Sequence, residues 1–262
     1  MQVQKVTEHI TKWLKEYAEI ANVKGFVVGV SGGIDSALTS TLCAKTGFPT
    51  LCVEMPIHQA KSHVSRAREH ISQLKEGFKN VSDVKIDLTP TFENFRDIVP
   101  KINSSEKIDL SLANTRARLR MTSLYYLAGI YDYLVVGTGN KVEDFGVGFY
   151  TKYGDGGVDL SPIADLMKSE VYEIARFLNV PNSIQTAQPS DGLFGDSRTD
   201  EDQIGASYEE LEWAMNMKYL GKKTHDFVER EKEVFKIYTR LNVTNQHKML
   251  PIPVCKIPEK LK

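Results

Sequence analysis

Apolar residues in the first twenty positions fall at Val3, Val6, Ile10, Trp13, Leu14, Tyr17 and Ile20. Steps of three and four place them on one face of a helix over 3–21, with Trp13 in the core stripe. The rhythm then changes. Phe26-Val27-Val28 is a continuous apolar run and predicts a strand over 26–30, buried on both faces. A second strand is expected over 50–55, stopped by Pro56, and a third over 83–88. Between them 58–74 reads as a polar, partly periodic helix. Thr89-Pro90 opens another helix, with proline in its first turn. Residues 110–130 form a long amphipathic helix carrying Arg116, Arg118 and Arg120, and 133–137 is the fourth strand.

Strands separated by helices imply right-handed crossovers and a parallel sheet. The expected fold is therefore α/β, a parallel sheet flanked by helices, Rossmann-like in layout. Beyond Phe145 the character shifts. Residues 146–157 are glycine-rich and read as a loop, 167–178 as a helix, and 189–202 as a polar loop. Helices follow over 207–217 and 225–241. No repeat or low-complexity tract interrupts the chain, and 1–262 is expected to form a single domain.

Ligands of open parallel sheets sit beyond the carboxyl ends of the strands. There the first strand runs into Gly29-Val30-Ser31-Gly32-Gly33-Ile34-Asp35-Ser36 and then a helix-like segment. Paired glycines let backbone N–H groups converge without Cβ obstruction. The following helix adds its unpaired N–H groups and positive dipole end, which makes an anion site suited to phosphate. Ser31 and Ser36 add hydroxyl donors. Asp35 opposes a phosphate unless a cation lies between, so it implies Mg²⁺ bound by carboxylate and phosphate oxygens. No lysine follows the glycines, so the loop is not a P-loop of the Walker type.

Composition narrows the function. Formal net charge is −1 with no long basic run, which gives no electrostatic footprint for nucleic acid. The three cysteines, Cys43, Cys52 and Cys255, are widely spaced, so neither a zinc site nor a disulfide framework is indicated. No apolar stretch is long enough to span a membrane and no signal-peptide pattern is present, which makes the cytoplasm the expected location.

The Ser-Gly-Gly-x-Asp-Ser string resembles the pyrophosphate-binding loop of the ATP pyrophosphatase superfamily. Three later strings narrow the resemblance: Gly137-Thr138-Gly139-Asn140-Lys141-Val142-Glu143, then Thr151-Lys152-Tyr153-Gly154-Asp155, then Leu160 through Lys168. With Ala117-Arg118-Leu119-Arg120-Met121, they make nearly the whole chain similar to the ammonia-dependent NAD synthetases. That resemblance implies an adenine nucleotide alpha-hydrolase-like fold. It also implies conversion of deamido-NAD to NAD with ATP and ammonia, through an acyl-adenylate, releasing AMP and pyrophosphate.

The same resemblance implies roles for particular residues. ATP would be bound by Gly29, Val30, Ser31, Gly32, Gly33, Ile34, Asp35, Ser36, Thr138, Lys168 and Ser190. Ser190 stands where many relatives carry threonine. Mg²⁺ would be held by Asp35 and Glu143, and Lys168 would supply a mobile positive charge to the phosphates. Arg118, Lys152, Asp159, His247 and Lys248 would hold deamido-NAD. Asp155 is the candidate to receive or orient ammonium and take its proton. A homodimer is implied, with helix 110–130 contributing to the interface. The loops 146–158 and 189–202 are candidate lids. The synthetase-like region fills the chain, so no glutaminase segment is expected and free ammonia is the expected donor.

Several of these residues have simpler readings. In isolation Glu143 is a solvated helix charge, Lys168 opens a helix and Asp159 caps a turn. Arg116 reads as a surface charge, His58 as a site-edge residue, and His63 and His70 as surface residues. Another amide-forming or sulfur-transferring ATP pyrophosphatase is the competing enzyme. A non-catalytic ATP sensor is the competing binding module, and it would need neither Glu143 nor Asp155.

Overall fold

The computed structural model describes residues 1–100, 105–189 and 199–262. Four parallel strands, β1 (Gly25–Gly29), β2 (Thr50–Glu54), β3 (Val81–Lys85) and β4 (Tyr133–Val135), form one sheet in the order β3-β2-β1-β4. The order reverses between β1 and β4. A crevice therefore opens at their carboxyl ends, where the connections leave on opposite faces.

Helices cover both faces. The helices α1 (Val3–Ile20), α2 (Ile34–Lys45) and α3 (Lys61–Gly77) are joined by α4 (Thr89–Ile98) and α5 (Ser105–Tyr131). Successive residues of β1 point to opposite sides, as the strand period requires. Phe26 and Val28 pack with Leu14, Leu38 and Ile174, whereas Val27 packs with Leu51, Phe92 and Val135. Phe26 and Phe92 are wholly buried, and truncating either to alanine costs about 3–5 kcal/mol.

After β4 the chain forms α6 (Lys168–Phe177), α7 (Asn182–Gln185), α8 (Asp200–Ile204), α9 (Tyr208–Tyr219), α10 (Glu229–Thr244) and α11 (Gln246–Met249). A second core lies here, built on Val142, Tyr208, Leu211, Phe235 and Tyr238. Among the described residues no helix is long and apolar enough to cross a membrane.

The expected elements exist, with shifted ends. β3 begins two residues early, because Thr50 and Val81 start its register, and ends at Lys85. Ile86 and Leu88 still donate to Glu54 and Pro56 carbonyls, so the apolar run continues toward the crevice outside the ladder. α3 starts at Lys61 rather than at 58, since His58 has a left-handed backbone (φ 53°). The first two residues of the expected loop 146–157 belong to a π-helical turn, Val142–Val147. The expected loop 189–202 lies largely outside the described residues, and its last part is helical from Asp200.

Candidate active site

The first loop is held open by its own side chains. Ser36 Oγ accepts from Ser31 N at 3.2 Å and donates to the Gly33 carbonyl at 3.0 Å, and Ser31 Oγ accepts from Gly33 N at 3.2 Å. Gly32 has φ +85°, and a Cβ there would lie 2.4 Å from the His63 carbonyl oxygen, so only glycine fits. Arg66 Nε donates to the Gly32 carbonyl at 3.1 Å. The first residues of the twelve-residue α2, Ile34 to Ser36, therefore line the crevice, where the unpaired N–H groups of a helix start favour an anion.

The second strand end supplies Asn140, which is fully buried. Its Oδ1 accepts from Val142 N and Glu143 N, both at 3.1 Å, and its Nδ2 donates to Asp35 Oδ1 at 3.1 Å. One amide thus caps the π-helical turn and ties it to the first loop. Such turns recur at functional sites because they redirect side chains.

Lys168 arrives from the start of α6. Its Nζ lies 2.6 Å from Asp35 Oδ2 and 3.0 Å from Glu143 Oε1, with the side chain 4% exposed. Burial disfavours its charge, but the two carboxylates outweigh this and hold the ammonium above its ordinary pKa. Burial likewise opposes ionisation of Glu143. Lys168 and the Tyr208 hydroxyl reverse that and leave its pKa lowered. At Asp35 burial prevails and raises it, with Lys168 offsetting part. Two ion pairs thus hold the Lys168 ammonium at the foot of the first loop.

Two more carboxylates face the same cavity. Burial, then the charges of Glu143, Asp155 and Asp35, push Asp144 up to about 8. Its carboxyl sits against Gly139, where a Cβ would come within 2.1 Å of Oδ2. Burial raises Asp155 to about 6, although the Thr151 backbone N–H, donating to Oδ1 at 2.9 Å, works the other way. An apolar wall of Met55, Val64, Met121 and Leu124 completes the cavity. Beside it Arg120 is pinned by the Met55 carbonyl at 3.0 Å and Gln59 Oε1 at 2.7 Å.

The fold thus gathers the loop 29–36, Thr138, Glu143, Asp155 and Lys168 around one cavity. Ser190 lies outside the described residues. The residues expected to hold the dinucleotide do not line that cavity. Four of them group beside it: Arg118 Nη2 donates to the Lys152 carbonyl at 3.3 Å, Lys152 Nζ to the His247 carbonyl at 2.5 Å, and Lys248 Nζ to the Gly148 and Tyr150 carbonyls at 2.7 and 2.8 Å. Asp159 stands apart. Tyr125 donates to its Oδ1 at 2.9 Å and Val135 N to its Oδ2 at 2.8 Å, beside a second hollow lined by Asn22, Lys24 and Tyr133.

The histidines and Arg116 differ from expectation. His58 is exposed and paired with Glu93, away from the cavity wall, whereas His63 lines the cavity. His70 is 1% exposed and bonded to Ser40 Oγ at 2.9 Å. Arg116 lies over the Phe92 ring at 4.5 Å rather than free on the surface. Asn140, Asp144, Arg120 and Tyr208 escaped the sequence reading. Asn140 was within reach, since it sits in the quoted Gly-Thr-Gly-Asn string.

The donor chemistry can be tested against Mg²⁺. The described residues contain no group of three or more His, Cys, Asp or Glu placed to hold a metal. Mg²⁺ with nucleotide needs only one or two carboxylates plus phosphate oxygens. Asp35 and Glu143 share one cationic partner, the Lys168 ammonium, and both present the hard carboxylate oxygens that Mg²⁺ prefers. The residues fit the ion.

The family model for NAD synthase matches residues 6–251. The NH(3)-dependent NAD(+) synthetase of Carboxydothermus hydrogenoformans is 38% identical over 226 residues, covering 86% of this chain and 90% of that one. The solved NMN synthetase of Francisella tularensis superposes with a TM-score of 0.84 at 30% identity, covering 99% of both chains. The NH3-dependent NAD synthetase of Campylobacter jejuni gives 0.78 at 25% identity, covering 98% of this chain and 100% of that one. The chain belongs to the NAD synthase family and is an enzyme of the ligase class.

Proposed function

We propose that the protein amidates deamido-NAD to NAD with ammonia and ATP, as one domain over 1–262. The observation that carries this reading is the cation-bridged pair Asp35–Lys168–Glu143 at the mouth of an anion-binding loop. A nicotinate carboxylate must attack a phosphate that is also anionic, so positioning and charge neutralisation dominate catalysis. The loop N–H groups and Lys168 would bind the phosphates, and Asp35 and Glu143 would hold Mg²⁺. When bound, that ion supplies Lewis-acid stabilisation of the departing pyrophosphate. The carboxylate oxygen bonds to the α-phosphorus as the bond to the bridging oxygen breaks. The acyl carbon of the resulting adenylate then takes ammonia, and AMP leaves. Asp155 would accept the ammonium proton, with its carboxyl pushed up to about 6 by burial. Arg118, Lys152, Asp159, His247 and Lys248 would contact the dinucleotide, and Ser190 the ATP.

We further propose a cytoplasmic homodimer formed through α5, whose Tyr126, Ile130 and Tyr131 side chains are 67, 55 and 47% exposed. The likeness to the Francisella NMN synthetase favours a second reading, with NMN rather than NAD as product. Release of AMP and pyrophosphate, measured with deamido-NAD and separately with nicotinate mononucleotide, each with ammonium or glutamine, tests both. Turnover with deamido-NAD and ammonium is expected. Turnover with the mononucleotide alone would replace the first reading by the second.

A further inference from the structure

Tyr208 opens α9 from within the second core, and it is 7% exposed. Its backbone is fixed twice. The Tyr208 N–H donates to Glu201 Oε1 at 2.8 Å, and the preceding Ser207 caps the helix by accepting from Glu210 N. A side chain launched from so constrained a start has little freedom at its tip. That tip crosses from the second core to the crevice. The hydroxyl lies 2.5 Å from Glu143 Oε1 and 3.3 Å from Asp200 Oδ2. A phenol has one proton to give, so the shorter contact to Glu143 takes it.

The oxygen it meets is the one that Lys168 also meets, at 3.0 Å. The Lys168 ammonium in turn lies 4.7 Å from the centroid of the Tyr208 ring. Ring and hydroxyl therefore act on both members of one ion pair. Glu143 is carried by a short π-helical turn, and its backbone is anchored by Asn140. Asn140 fixes where the Glu143 side chain begins, and Tyr208 fixes where it ends.

We propose that Tyr208 is a positioning residue for the cation and phosphate site, acting through Glu143 Oε1. The proposal rests on the reading of Glu143 as a Mg²⁺ ligand. A carboxylate that must accept a hard cation needs a set orientation, and partners one bond removed from a metal typically change its affinity 10- to 100-fold. Tyr208 also gives the helices after residue 199 a direct hold on the first loop. The path runs from its hydroxyl through Glu143 and Lys168 to Asp35, and Tyr208 itself does not line the cavity.

The test is Tyr208→Phe, which removes one oxygen and keeps the ring in its core. Mn²⁺ binding, followed by electron paramagnetic resonance with a non-hydrolysable ATP analogue, should weaken about tenfold or more. The Mg²⁺ concentration for half-maximal turnover should rise in step, while the KM for deamido-NAD stays within about twofold of wild type if Tyr208 acts only on the metal site. In a Glu143→Ala background, where the acceptor oxygen is gone, the same change should add nothing, as two residues acting through one bond require. Tyr238→Phe, a buried phenol of the same core, is the control and should leave Mn²⁺ binding unaltered. Mn²⁺ binding by Tyr208→Phe equal to wild type overturns the proposal, and so does a variant that no longer folds. A wild-type protein that binds Mn²⁺ and the analogue but leaves deamido-NAD unchanged overturns the functional reading instead.

Discussion

Lys168 and Asp35 are separated by 133 positions, yet Lys168 Nζ and Asp35 Oδ2 lie 2.6 Å apart. The pair joins the start of α6 to the start of α2 across the crevice, and Glu143 shares the same ammonium. Without Lys168, two half-buried carboxylates would lack their shared counter-ion at the foot of the first loop. The lysine therefore serves the free enzyme as a counter-ion, beside the phosphate-binding role proposed for it.

That dual role separates Lys168→Met from an ordinary catalytic knockout. Removing one partner of a buried ion pair leaves uncompensated charge and costs about 3–5 kcal/mol. The variant should melt well below wild type in chelator, and added Mg²⁺ should recover more of the loss than it adds to wild type. Turnover should stay at least about 100-fold down if Lys168 is the phosphate donor proposed above. Thermal melts with and without Mg²⁺, read beside pyrophosphate release, check both halves. Equal melting of the two proteins in chelator would remove the counter-ion role.

His70 supplies a pH dependence away from the site. Burial lowers its pKa from 6.5 to about 4, against a small opposing contribution from the Ala37 backbone. The unfolded chain therefore binds a proton that the folded chain refuses between those values. Stability from this group is complete above about pH 6.5 and declines as pH falls toward 4, by about 3 kcal/mol in all. His70→Leu should flatten that limb relative to wild type. Urea titrations at pH 7, 5.5 and 4.5 measure the difference, and parallel wild-type and variant curves would contradict it.

The exposed stripe on α5 predicts an assembly. Tyr126, Ile130 and Tyr131 lie four and five apart on the last turns of a 27-residue helix. An apolar stripe there suits burial against a second copy. Ile130→Glu should shift sedimentation from dimer to monomer with little change in the far-ultraviolet helix signal. A wild-type protein that sediments as a fully active monomer would remove the prediction.

Much of the site was legible because it is carried by contiguous strings. Gly29 through Ser36 read as an anion loop and Asp35 as implying a cation from one contiguous string, and all eight residues line the cavity. Glu143 and Lys168 followed only from the family strings, since a lone glutamate or lysine says nothing about what it faces. His70 was misread as a surface residue although Ala67, His70, Ile71 and Leu74 share one helix face and all are buried. The polar residues around it hid that stripe. Trp13 failed the other way. The buried face of α1 is Thr7, Ile10, Leu14 and Ala18, and Trp13, 37% exposed, packs against Tyr17 beside it. Asp144 was out of reach, because nothing in the sequence marked the π-helical turn on which Glu143 and Asp144 both line the cavity.

Asp155 carries the last prediction, on the nitrogen donor. Its Oδ1 accepts from Thr151 N at 2.9 Å and so shapes the turn that presents it. Asparagine retains an oxygen for that bond, so Asp155→Asn should keep the turn and lose only the base. Adenylation needs no proton acceptor, because the attacking carboxylate is already an anion. Amide formation does, because ammonium must become ammonia before it attacks. The variant should therefore slow the second half-reaction about 100-fold or more while leaving adenylation within a few-fold. In the wild-type enzyme the carboxyl, raised to about 6, is the competent base only when ionised. Amide formation should show an inflection as pH drops through about 6, and in the variant that inflection should vanish, leaving only the dependence on free ammonia. Higher pH or more ammonium should partly rescue it by supplying free ammonia. Rapid-quench measurement of acyl-adenylate and NAD at several pH values separates the steps. Equal loss in both would make Asp155 a residue that places the substrate rather than one that takes the proton.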